Sequence, residues 1–103
     1  AKDVIIGGKT LTAEEANIHG LAYKVVEPSE TLNEAKKLAK KIMDKAPLSV
    51  KLAKKAIDAS AHVDIETGLI LENLAYSALC GTEDKKEGTT AFLEKRKAVF
   101  QGK

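Results

Sequence analysis

Apolar side chains recur at helical spacing from Thr31 to about Leu79, and this pattern constrains the fold more than any other feature of the chain. In the first predicted helix, apolar residues share one face and lysines share the other. Pro47 ends this helix and can begin the next, which repeats the pattern to about Ser60. The pattern predicts a mainly α fold. The first helix has Leu32, Ala35, Leu38, Ala39 and Ile42 on its apolar face, and Lys36, Lys37, Lys40 and Lys41 opposite.

A third predicted helix extends from Asp64, a candidate N-cap, through about Leu79 and is apolar on nearly every side. A helix of this kind is normally covered all round. In a chain of 103 residues, the composition favours contact with other subunits or with a domain outside the chain. The alternative interpretation is the central helix of a small bundle. The apolar residues are Leu69, Ile70, Leu71, Leu74, Ala75, Tyr76, Ala78 and Leu79.

The first 30 residues carry weaker signals. Residues 3–6 form a short apolar run that fits either the tail of a helix or a strand. Thr12 with Glu15 has the spacing of a capping box, and Gly20 is a typical C′ residue, so residues 13–19 are predicted to be a short helix. Residues 21–27 are predicted to be a short extended segment closed by Pro28. The whole chain is expected to have five or six helices and one short strand.

Composition excludes several classes of function. The formal net charge of +2 is too balanced to indicate a nucleic-acid-binding protein. Cys80 is the only cysteine, which excludes an internal disulfide and favours a reducing compartment such as the cytoplasm. His19 and His62 lack metal-ligand spacing. No apolar run approaches the roughly 20 residues that span a membrane. We therefore expect no nucleic acid, membrane or metal among the partners.

Candidate carboxylates for acid–base chemistry have simpler structural explanations. Glu14 and Glu15 are adjacent on a helix and cannot converge on one point, and Glu15 fits the capping box. Glu83 and Asp84 suit the first turn of a last helix whose N-cap is Thr82. Glu72 is the one charged residue on an apolar stripe, so we expect a partly buried, salt-bridged side chain. The sequence assigns no catalytic residue.

The last helix region, "TEDKKEGTTAFLEKRKAVF", resembles the closing signature of the enoyl-CoA hydratase/isomerase family, also called the crotonase family. Two earlier stretches, "LTAEEANIHGLAYKVVE" and "APLSVKLAKKAI", are also similar to segments of this family. The three matches come in the family's order and cover almost the whole chain. The residues that match the closing signature are Thr82, Glu83, Asp84, Glu87, Gly88, Ala91, Phe92, Glu94, Lys95 and Arg96.

The resemblance implies that the chain is the C-terminal helical region of the crotonase fold, without the β–β–α spiral core. The family's oxyanion hole and its paired glutamates precede this region. Residues 1–30 would then hold the end of a core helix, the capped helix and the strand. Residues 31–103 would form a helical region that closes the acyl pocket and makes trimer contacts. The chain alone is expected to be inactive.

The implied function of the parent protein is hydration of 2,3-unsaturated acyl-CoA thioesters, with coenzyme A as part of the substrate and no separate cofactor. Two alternatives stay open. The first is another reaction of the same family, such as isomerisation, hydrolysis or decarboxylation. The second is a free-standing helical interaction module without chemistry.

The resemblance also implies three substrate-binding residues. Phe92 and Lys95 match positions near the CoA nucleotide bound to a neighbouring subunit, where a ring can pack on adenine and an ammonium can pair with phosphate. Their spacing predicts a shared helix face. Tyr76 matches a position near the acyl pocket. The alternative for Phe92 is a hydrophobic anchor for the last helix, and Phe100 is expected to pack the tail against the fold.

Overall fold

The structure is a computed structural model that describes all 103 residues, and it is entirely helical. This confirms the predicted mainly α class and the number of helices. A single 3₁₀ turn at Pro28–Glu30 precedes the third helix. The α-helices are α1 (Lys2–Ile5), α2 (Ala13–Ile18), α3 (Thr31–Met43), α4 (Pro47–Ser60), α5 (Ile65–Cys80) and α6 (Glu83–Leu93). The open choice at residues 3–6 is thereby resolved in favour of a helix.

The predicted strand at residues 21–27 is wrong. A strand needs a neighbouring strand for its backbone hydrogen bonds, and this chain contains none. The backbone instead folds back on the end of α2, where the Leu21 and Ala22 N–H groups both donate to the Ala16 carbonyl at 2.8 and 3.1 Å. Gly20 permits this turn because its φ is +72°.

The capping box of α2 is present as predicted. The Thr12 hydroxyl accepts a hydrogen bond from the Glu15 N–H at 3.1 Å, and the Glu15 carboxylate accepts one from the Thr12 N–H at 2.9 Å. The Thr12 N–H and the cation of Lys9 lower the pKa of Glu15 because both stabilise its charged form. Glu15 therefore has a structural role, and the cap fixes where this short helix begins.

The chain divides into two compact units, Ala1–Lys36 and Lys37–Lys103, with the boundary inside α3. In the second unit, α4 packs along α5, and α5 contacts α6. The predicted division between residues 1–30 and 31–103 concerns the organisation of the parent fold. It stays a prediction.

Very little of the chain is buried. Ala91 is 2% exposed and Asp84 is 4% exposed, and these are the two residues that fall in the buried class. Apolar residues of α5 are open to solvent, with Leu74 62% exposed. Within this chain α5 is therefore not the covered central helix of a bundle. Cover from other subunits or from another domain stays a prediction.

The Thr82 cap gives a first prediction. Its hydroxyl accepts a hydrogen bond from the Lys85 N–H at 3.1 Å and donates one to the Leu79 carbonyl at 2.7 Å. Thr82→Ala should lower the free energy of unfolding by about 1 kcal/mol, because the first turn of α6 loses its acceptor. Urea denaturation measures the change. Thr89→Ala is the matched control, since the exposed Thr89 hydroxyl only donates to its own helix. Equal losses in both variants would contradict the capping role.

Candidate functional site

The start of α6 holds the end of the chain. The carboxylate of Asp84 accepts hydrogen bonds from the Gln101 N–H at 2.7 Å and the Gly102 N–H at 2.8 Å. The Asp84 N–H donates to the Lys103 carbonyl at 3.0 Å. Burial of this carboxylate is tolerable because backbone donors satisfy both of its oxygens. The prediction of Asp84 as a simple first-turn acid was therefore incomplete.

One turn later, Glu87 joins α6 to the segment that follows the helix. Its two carboxylate oxygens accept a forked pair of hydrogen bonds from the Arg96 guanidinium at 2.6 and 2.9 Å. The Val99 N–H donates to the same carboxylate at 2.8 Å. These donors, Arg96 first and then the Val99 N–H, lower the pKa of Glu87 to about 2. The carboxylates of Glu87 and Glu94, which accept from Arg96, raise the pKa of its guanidinium. The pair is ionised at neutral pH and sets the path of residues 96–99.

Gly88 lets the tail lie directly against α6. A Cβ at this position would stand 3.4 Å from the ring of Phe100, at the near limit of ordinary van der Waals contact. Phe100 is half-buried there, which confirms that it packs the tail. Ala91, one helical turn further on, is the most buried apolar residue of the chain. Residues of the closing signature thus make contacts that hold residues 96–103 against the last helix.

The end of α6 differs from the prediction. The helix ends at Leu93, so Lys95, Arg96 and Lys97 follow it instead of occupying its last turn. Lys95 has φ +54°, the left-handed conformation that usually belongs to glycine. The Lys95 N–H donates to the Phe92 carbonyl at 3.2 Å and the Arg96 N–H to the Ala91 carbonyl at 3.0 Å. This is the Schellman arrangement, with a lysine where glycine would cost about 1 kcal/mol less.

Phe92 and Lys95 lie in one turn of chain but do not share a helix face, because only Phe92 is helical. Phe92 is 82% exposed, so it does not anchor the last helix within this chain. Ala91 and Phe100 make the buried contacts instead. The side chain of Lys95 is exposed and has no hydrogen bond or ion pair within the chain. An exposed ring and an unpaired ammonium are therefore close together in sequence at this turn.

Tyr76 lies elsewhere, in an open groove of about 670 Å³ between α4 and α5. Tyr76 is 57% exposed, and the Lys85 ammonium stands 5.5 Å from the centroid of its ring, within reach of a cation–π contact. Phe92 and Lys95 do not line this groove. Most of its lining is apolar, and the residues are Ser49, Leu52, Ala53, Ala56, Ile57, Ser60, Ile65, Gly68, Leu69, Glu72, Ala75, Tyr76, Leu79 and Lys85.

The prediction that Glu72 is partly buried and salt-bridged is wrong for this chain. The side chain is exposed at the groove and forms no salt bridge, because no basic side chain lies within ion-pair distance. Cys80 is likewise exposed at the end of α5. No group of three or more His, Cys, Asp or Glu side chains is placed to hold a metal ion. No helix has the length and apolar character needed to cross a membrane.

Comparison with known proteins identifies the family. The model of the enoyl-CoA hydratase/isomerase family matches residues 1–103. The chain belongs to this family. The predicted resemblance is therefore confirmed over the full length of the chain.

Several relatives are similar in sequence or structure. The chain is 47% identical over 97 residues to the short-chain-enoyl-CoA hydratase of Clostridium acetobutylicum, with 94% of this chain and 37% of the relative covered. It is 43% identical over 103 residues to the crotonyl-CoA hydratase of Syntrophomonas wolfei, with all of this chain and 40% of the relative covered. The crystal structure of an enoyl-CoA hydratase from Bacillus anthracis superposes with a TM-score of 0.94 at 38% identity.

These matches also show which part of the family's fold the chain corresponds to. The Bacillus anthracis structure is matched over 99% of this chain and 40% of its own. The chain spans about two-fifths of the length of the relatives it matches. It corresponds to the C-terminal helical region of the crotonase fold, as predicted.

The Glu87–Arg96 pair gives a pH prediction. The Glu87 pKa falls from its ordinary value of 4.5 to about 2 in the folded chain, so the unfolded chain binds this proton more readily. The stabilisation is complete above about pH 4.5 and is lost as the pH falls towards 2. Urea denaturation at several pH values measures the free energy of unfolding. Over this interval it should decline less steeply for Glu87→Gln than for the wild type.

Arg96→Gln is the matched variant, because it removes the main cause of the low Glu87 pKa and should flatten the same interval. Some slope will remain in both variants, since the pKa values of Glu15 and Asp64 are also lowered. Identical pH profiles for the wild type and both variants would contradict the assignment.

Proposed function

We propose that this chain serves as part of an enoyl-CoA hydratase, which adds water across the 2,3 double bond of an acyl-CoA thioester. The names of the relatives support this reaction, including hydratases for short-chain enoyl-CoA and crotonyl-CoA. The single structural observation behind the proposal is that Phe92, in the last turn of α6, and Lys95, just after the helix, are both exposed. In this proposal coenzyme A enters as part of the substrate, and no separate cofactor is needed.

The turn after α6 would contact the nucleotide of the CoA ester. Phe92 offers an exposed aromatic ring on which an adenine can stack. Lys95 offers an ammonium that no carboxylate of the chain neutralises, so it can pair with a phosphate. Both side chains are already exposed, so no contact within the chain has to break before they meet a ligand.

The groove between α4 and α5 would help to close the acyl pocket, with Tyr76 on its wall. Its apolar lining suits a hydrocarbon chain, and the exposed apolar residues of α5 suit contact with other copies of the protein. Both roles require surfaces from outside the chain. They also explain why so many large apolar side chains of this unit are exposed.

No residue of this chain is proposed to transfer a proton to or from substrate. Glu15 belongs to the capping box, and the carboxylates of Asp84 and Glu87 are occupied by the tail. The groups that polarise the thioester carbonyl and activate water would be supplied by the rest of the enzyme. A reducing cytoplasm is the proposed location, which agrees with a single exposed cysteine, Cys80.

Activity measurements test this assignment. The 103-residue chain alone should show no hydration of crotonyl-CoA, whereas the polypeptide that carries it in its natural source should hydrate crotonyl-CoA. The intact mass of that polypeptide, compared with 11.0 kDa, shows whether further domains accompany the chain. Isomerisation without hydration would indicate another reaction of the family. Turnover by the chain alone that disappears in Glu72→Gln would contradict the proposal.

Binding measurements test the nucleotide contact. In the natural polypeptide, Lys95→Ala should raise the dissociation constant for CoA about tenfold, the size of a lost charge-assisted hydrogen bond. The loss should shrink at high salt because the contact is electrostatic. Lys95→Gly should bind as weakly while relieving the left-handed backbone. Lys86→Ala, which removes an exposed lysine of α6, is the control. An equal loss there would show that only net charge matters.

A further inference from the structure

Lys95 is the only residue other than glycine with a positive φ in the chain. Helices commonly place glycine at this position because a side chain is strained there. A strained non-glycine residue persists where its surroundings hold it in place, and such residues cluster at ligand sites. The geometry therefore raises the question of what holds Lys95 in this conformation.

Hydrogen bonds of the two neighbouring residues, Glu94 and Arg96, hold Lys95 in this conformation. The Arg96 N–H closes the turn on the Ala91 carbonyl at 3.0 Å. The Arg96 guanidinium then donates to Glu94 at 2.6 Å and to both oxygens of Glu87 at 2.6 and 2.9 Å. Glu94 precedes Lys95 and Arg96 follows it, so one guanidinium fixes both neighbours of the strained residue.

Glu87 extends this hold further along the chain. Its carboxylate also accepts the Val99 N–H at 2.8 Å, which prevents the segment after Arg96 from swinging away. The last residues of the tail are held separately by Asp84. The Glu87 contacts therefore act on the turn, whereas the Asp84 contacts act on the chain end.

We propose that Glu87 and Arg96 are positioning residues, which lock the turn after α6 so that Lys95 and Phe92 meet the nucleotide of a CoA ester in a fixed geometry. The proposal rests on the proposed function, because it assigns no direct ligand contact to Glu87 or Arg96. A preorganised lysine loses less conformational freedom on binding than a lysine in a mobile turn.

The direction in which Glu87→Gln changes the affinity for CoA distinguishes a positioning role from a purely electrostatic effect. Glu87→Gln removes a negative charge near an anion-binding residue, and Coulomb's law alone predicts tighter CoA binding. A positioning role predicts weaker binding, by roughly threefold, because the turn is no longer held. Arg96→Lys keeps the positive charge but cannot form the fork to Glu87, so it should weaken binding similarly.

The experiment is a double-mutant cycle in the natural polypeptide, with CoA as the titrant in calorimetry. The variants are Lys95→Ala, Glu87→Gln, Arg96→Lys and the pair Glu87→Gln with Lys95→Ala. If Glu87 acts through Lys95, Glu87→Gln should have almost no further effect once Lys95 is alanine. Asp58→Asn is the control, since it breaks an exposed ion pair with Lys54 on α4 and should leave binding unchanged.

Each outcome decides between the claims. Unchanged binding in Lys95→Ala would overturn the proposed nucleotide contact itself. Weaker binding in Lys95→Ala with unchanged or tighter binding in Glu87→Gln would overturn only the positioning role. Additive losses in the double variant would assign Glu87 to general stability. If circular dichroism shows that Glu87→Gln does not fold, the test rests on Arg96→Lys alone. Wild-type affinity for CoA in Arg96→Lys would then overturn the proposal.

Discussion

The forked hydrogen bonds between Glu87 and Arg96 connect the last helix to everything that follows it. An exposed ion pair usually contributes little to stability, because water competes for both partners. This pair differs in having bidentate geometry and a further backbone donor, the Val99 N–H, on the same carboxylate. It works together with the buried Asp84, whose carboxylate accepts from residues 17 and 18 positions further along. Two carboxylates of α6 thus replace the packing that a larger apolar core would supply.

The scarcity of buried apolar surface explains why polar contacts have this importance. Ala91 is the buried hydrophobic residue, and alanine removes little area from water. The large apolar residues of α4 and α5 face the groove or solvent, where they do not stabilise this chain by itself. They would stabilise the fold only where another surface covers them. The chain therefore has well-defined local structure in its helices and tail, while its apolar faces are open to solvent.

Local features were predictable from the sequence because their partners lie within one helical turn. Thr12, Asp64 and Thr82 each cap the residue three positions ahead, as their spacing indicated. The contacts of Asp84 and Glu87 were not predictable from spacing, since their donors are 9 to 18 residues away. The strand at residues 21–27 failed for a related reason. Its β-branched residues indicated local preference, but a strand requires a partner that the chain lacks.

The position of Lys95 links the stability of the tail to the proposed binding role. Sequence spacing placed Phe92 and Lys95 on one helix face, whereas the structure ends the helix between them and turns the chain. Glycine at position 95 would make that turn without strain but would present no cation. Lysine at this position presents a cation but strains the backbone, and the hydrogen bonds of Arg96 offset that strain. The same signature that identifies the family thus contains both the residue that a ligand would use and the residues that hold it.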